Sequence, residues 1–116
     1  MASLNTFGAV FTFAIELETQ LSAYYAGISD ADKAKAADKR RKKLERVRRE
    51  NVVEITLEPI VGLSADDYAL DLNDSSKDGQ AEATRIASRF YADAAPKINV
   101  RAAQRALERC GREYGG

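Results

Sequence analysis

Among the side chains of this 116-residue chain that can do chemistry, the carboxylates have the informative spacing. There is no histidine, and Cys110 is the single cysteine. One chain therefore cannot assemble a His/Cys zinc site, a nucleophile–His pair or an intramolecular disulfide. The acid that stands out is Glu18. Phe7, Val10, Phe11, Ala14, Leu17, Leu21, Tyr24, Tyr25 and Ile28 recur at three- and four-residue steps, the mark of one helical stripe. At about 100° per residue Glu18 falls inside that stripe, between Ala14, Leu21 and Tyr25, while Glu16 falls opposite. A carboxylate on an apolar face must be neutralised, hydrogen-bonded, metal-bound or exposed, because burying it unpaired is costly.

The elements that must position this acid follow from composition and punctuation. Eighteen Lys and Arg balance 18 Asp and Glu, which excludes a globally basic nucleic-acid binder and an acidic tail. With 45% hydrophobic and 31% charged residues and only two prolines, the chain reads as ordered and helical. Glycine and proline cut it into four helical stretches, at about 5–28, 30–58, 80–95 and 97–114. Between the second and third lies a polar connection with Asp66, Asp67, Asp71, Asp74 and Asp78 against one Lys77. Two short joints and one long one predict a single all-α domain over 1–116: a hairpin at 5–58, a crossover at 59–79 and a hairpin at 80–114. The third stretch offers Ala83, Ile86, Ala87, Phe90, Tyr91 and Ala94 to a core; the fourth offers Val100, Ala103, Leu107, Cys110 and Tyr114, with Arg101, Arg105, Arg109 and Arg112 outside. The second has no clean stripe, since Leu44 and Val47 do not line up with Val53 and Leu57.

The two hairpins repeat each other. A shift of 66 residues sets Glu16, Ser22, Tyr25 and Ala26 on Glu82, Ser88, Tyr91 and Ala92. A shift of 63 sets Leu44-Glu45-Arg46 on Leu107-Glu108-Arg109, and Arg49-Glu50 on Arg112-Glu113. The matches are collinear, as in a duplicated αα-hairpin, although helices rich in Ala, Arg and Glu also resemble one another by composition.

The segment Phe13-Ala14-Ile15-Glu16-Leu17-Glu18-Thr19-Gln20-Leu21-Ser22-Ala23-Tyr24-Tyr25 resembles the first helix of rubrerythrin and its ferritin-like relatives, where an inward Glu precedes a Tyr by seven residues. The resemblance implies a ferritin-like four-helix bundle of two αα-hairpins, and in that family the bundle holds two metal ions, usually iron, between four Glu and two His. Carried over residue by residue, it implies Glu18, Glu50 and Glu113 as ligands, with Glu54 as a possible extra. Val53 and Gly116 stand where the His ligands belong, and Thr84 stands at the third-helix Glu. Carboxylates alone suit one Mn, Mg, Ca or Fe ion better than a redox iron pair. The alternative preferred here is a metal-free Glu18 bonded to a core tyrosine, Tyr25 or Tyr91, or to Thr84.

If Glu113 lies level with Glu18, the fourth helix stops near mid-bundle, and Tyr24, Tyr25 and Ile28 lack neighbours. Either a second copy covers them, as a homodimer, or the crossover does through Leu63, Tyr68, Leu70 and Leu72. Eight cations crowd the 11 residues from Lys39 to Arg49. Cations all round the helix and no interleaved aromatics weigh against nucleic acid or anionic membrane, and the six acids from Asp66 to Glu82 are available to pair with them. The apolar start lacks a preceding Lys or Arg and is broken by Glu16 and Glu18, so the expected location is the cytoplasm. The expected function is structural, interaction or binding, without ferroxidase or peroxidase activity. The rivals are a metal-binding oxidoreductase with a carboxylate-only or partner-completed site and a basic-helix nucleic-acid adaptor; no small-molecule substrate is identifiable.

Overall fold

The computed structural model describes residues 4–51 and 60–115. The expected continuation of the second helix to 58 lies outside the described residues, as do Val53, Glu54 and Gly116. Four α-helices form the body: α1 (Phe7–Gly27), α2 (Ala31–Glu50), α3 (Lys77–Ala94) and α4 (Arg101–Glu113). There is no strand among the described residues, and none of their helices is long and apolar enough to cross a membrane.

Each boundary has a local cause. Thr6 opens α1, its side chain accepting from Ala9 N at 3.0 Å, and Asp30 opens α2 by accepting from Lys33 N at 3.2 Å. Between them the chain reverses in three residues, with Ser29 at φ 63°, a left-handed conformation that a side chain makes costly. Asn51 closes α2 through a bond from Nδ2 to Val47 O at 2.9 Å. The third helix starts three residues earlier than the expected Gln80, because Ser76 caps Gly79 N at 3.1 Å and is itself held by Asp74. A Cβ at Gly79 would collide with the Asp74 carbonyl, so the turn requires glycine there.

The crossover runs the length of α1. It begins beside the N-terminal end, where Ile60 N donates to Asn5 O at 2.9 Å and Leu4 N to Leu63 O at 3.1 Å. It finishes at the other end, where the Tyr24 hydroxyl donates to Asp74 O at 2.6 Å. Midway, a 3-10 turn at Ala65–Tyr68 buries Tyr68 against Phe13 and Phe90, and the Tyr68 hydroxyl bonds Asp93 at 2.6 Å. Consequently α3 lies antiparallel to α1 and parallel to α2, while α4 runs in the direction of α1 and packs against α3 and α2. Leu21, Tyr24 and Tyr25 are all buried within the chain. Asp74 of the crossover and Thr84 of α3 meet Tyr24 and Tyr25, while Ile28, the third residue of that stretch, is half-buried.

Candidate functional site

Glu18 is fully buried, at 0% exposure, on the inner face of α1. Both of its oxygens are occupied. Oε1 accepts from Arg40 Nε at 2.9 Å and from the Tyr114 hydroxyl at 2.6 Å; Oε2 accepts from the Tyr91 hydroxyl at 2.5 Å. Arg40 is only 6% exposed. Its Nη1 donates to Glu113 Oε1 at 2.8 Å and its Nη2 to the Tyr114 hydroxyl at 2.6 Å. The guanidinium carbon sits 4.2 Å from the centre of the Tyr114 ring, which stacks on Tyr91 at 6.1 Å. One planar cation therefore joins α1, α2 and the end of α4, and the phenol of Tyr91 adds α3. Among the described residues no buried side-chain nitrogen or oxygen lacks a partner.

The electrostatics follow from burial and this one cation. Burial pushes the Glu18 carboxyl up, and the Arg40 charge followed by the bonds from Tyr114, Tyr91 and Arg40 pulls it part of the way back. Burial opposes the charge on Arg40, but the Glu18 carboxylate leads a set of neighbours that hold its proton more firmly than usual. Burial, then the Glu18 charge, raises both phenols, Tyr91 and Tyr114. The same causes push the buried Cys110 thiol up to about 12. The cluster holds its protons. It offers neither a thiolate nucleophile nor a free base.

Of the three carboxylates that the ferritin-like resemblance implies, two meet here. Glu18 and Glu113 share the Arg40 guanidinium, whereas Glu50 is exposed at the far end of α2. The tight turn at residues 28–30 places Arg40 opposite Glu18; Glu50 lies ten residues further on, roughly 15 Å along the helix. Thr84 faces Tyr25, with 3.5 Å between their oxygens.

Among the described residues the cluster does not fit a metal centre; Glu54 lies outside them. A divalent ion would need the oxygens that Arg40, Tyr91 and Tyr114 already hold, and would stand against a fixed positive charge. Among the described residues, no group of three His, Cys, Asp or Glu could hold an ion. Of the anticipated partners Tyr25, Tyr91 and Thr84, it is Tyr91 that bonds Glu18. Arg40 and Tyr114 were missed as partners. Ala37, Arg40 and Leu44 share the buried face of α2, a three-then-four spacing that marks Arg40 as inward despite its cationic neighbours. A cavity of about 250 Å³ opens beside the cluster, lined by Tyr25, Lys33, Thr84, Glu113 and their neighbours, where α4 ends short.

Two further residues of the basic run pair locally. Arg41 bonds Asp38 at 2.8 Å and Glu45 at 3.0 Å, and Lys42 meets Asp38 at 3.2 Å. No described acid of the crossover pairs with it, because the crossover lies along α1 and α3. Compared with known proteins, the chain matches no family model, no curated protein and no solved structure.

Proposed function

We propose that this chain is a ferritin-like helical bundle in which an arginine holds the place that metal ions take in the rubrerythrins, and that it works as a non-redox structural or binding protein. The observation that carries this reading is Arg40, bonded at once to Glu18 and Glu113 at the level where the family places its ions. A guanidinium between two carboxylates supplies the charge balance that a cation would, in a planar fork that needs no open coordination position.

Two further features support a ferritin-like origin. The crossover runs lengthwise between the hairpins. The repeat is also reciprocal in space: Tyr91 reaches Glu18, and its equivalent Tyr25 faces Thr84, the equivalent of Glu18.

The test is elemental analysis of the purified protein, followed by Fe(II) oxidation in air. We expect bound iron or manganese far below stoichiometric and oxidation at the rate of buffer alone. About two irons per chain, or an oxidation rate above buffer that Glu18→Gln abolishes, would overturn the reading.

A further inference from the structure

With Arg40 turned inward and Arg41 paired, five of the remaining cations of α2 share one line, while Lys33, Lys43 and Arg48 lie off it. Lys35, Lys39, Lys42, Arg46 and Arg49 are all exposed and follow one another at steps of four and three. On a wheel of about 100° per residue they fall within about 40° of a common line, opposite the buried Ala37 and Leu44. The row is roughly 21 Å long at 1.5 Å per residue.

A second row lies on α4. Arg101, Arg105, Arg109 and Arg112 are exposed, opposite the buried Ala103, Leu107 and Cys110. The two helices are neighbours, joined through Arg40, Glu113 and Tyr114. Among the described residues only Lys42 of these nine meets an acid, Asp38 at 3.2 Å. Asp66, Asp67, Asp71 and Asp74 lie on the crossover, against α1 and α3. The outer faces of α2 and α4 thus carry an excess of cations, with Glu50 and Glu108 beside the rows, while the crossover carries an excess of acids.

We propose that the wall formed by α2 and α4 docks on the phosphate backbone of duplex DNA, without reading base sequence. This inference stands on the exposed cations and is independent of the buried cluster. Each row points away from the buried face of its helix and can follow a phosphate strand. One strand carries a phosphate per about 3.4 Å of axis, so about six lie alongside a row of this length. Single strands are disfavoured because no exposed aromatic stands among the rows for bases to stack on. Stable attachment to a bilayer needs an apolar or lipid signal beside the charge, and the exposed large hydrophobics, Val61 and Leu72, are on the crossover.

The test is fluorescence anisotropy of a labelled DNA duplex of arbitrary sequence titrated with the full chain, from low to physiological salt. Engaging five phosphates gives a slope of log K against log salt of about −4.5, unchanged for a second, unrelated duplex. The triple reversal Lys39→Glu, Arg46→Glu, Arg105→Glu should lower affinity at least tenfold, while Lys77→Glu on the acidic side should not; circular dichroism verifies that each variant is folded. Any of four results overturns the proposal: no binding at low salt, undiminished binding by the folded triple variant, preference for phosphatidylserine vesicles over the duplex, or salt-sensitive self-association that occupies the wall before DNA is added.

Discussion

Glu18 lies nine residues before Gly27 and Arg40 nine residues after Ala31, so the α1–α2 hairpin sets them directly across from each other, 2.9 Å apart. Their pairing is a property of where the turn falls. Shortening or lengthening that turn would bring another α2 residue to Glu18 in place of Arg40.

Removing one partner of this pair should cost far more than removing both. Arg40→Met leaves Glu18 buried without its cation, and we expect a loss of about 3–5 kcal/mol in urea unfolding. The double variant Glu18→Leu, Arg40→Met should recover most of that loss, since a well-packed apolar pair replaces a buried ionic one at little cost. Equal losses for single and double variants would show that the guanidinium acts through its contacts with Glu113 and Tyr114 instead.

High pH should unfold the protein through its phenols and thiol. Tyr68, Tyr91 and Tyr114 are all held above their ordinary value of 10, and Cys110 at about 12. A group raised in the folded state favours folding in full below its unfolded value and loses that contribution as pH rises towards the folded one. Stability should therefore fall progressively above pH 10, beginning near pH 9 for the thiol. Phenolate absorbance and helical circular dichroism should change together. Phenolates that appear while the helices persist would place these tyrosines in water.

Three backbone positions should respond in opposite directions. Gly79→Ala forces a methyl into Asp74 and should cost about 1–3 kcal/mol. Gly8→Ala, in the first turn of α1 with open space around it, should gain up to about 1 kcal/mol. Ser29→Gly relieves the left-handed residue of the first hairpin and should also stabilise, by up to about 1 kcal/mol. Thermal melts of the three variants measure this.

Much of the frame was legible in the residues. The stripe from Phe7 to Ile28 buried Glu18 as read, because a 21-residue helix gives its period many chances to show. The long central joint became a lengthwise crossover. What stayed hidden was the partner. Arg40 sits among cations that all read as solvated; its spacing from Ala37 and Leu44, and the reflection of Glu18 through the turn at 28–30, single it out. The ligand set carried over from the ferritin-like resemblance kept the family's distance between the first two helices. With the turn at 28–30, Arg40 meets Glu18, and Glu50, ten residues further along α2, stands exposed. Charge along a sequence also concealed charge in space: the crossover acids looked available to the basic run, yet their backbone is pinned at Asn5 and Tyr24, along the opposite side of the bundle.

The guanidinium at the centre of these helices is written into the chain itself. It arrives with every copy made, in a ratio of one to one, and needs no delivery from the surroundings. Its charge is set against Glu18 and Glu113 as the chain folds.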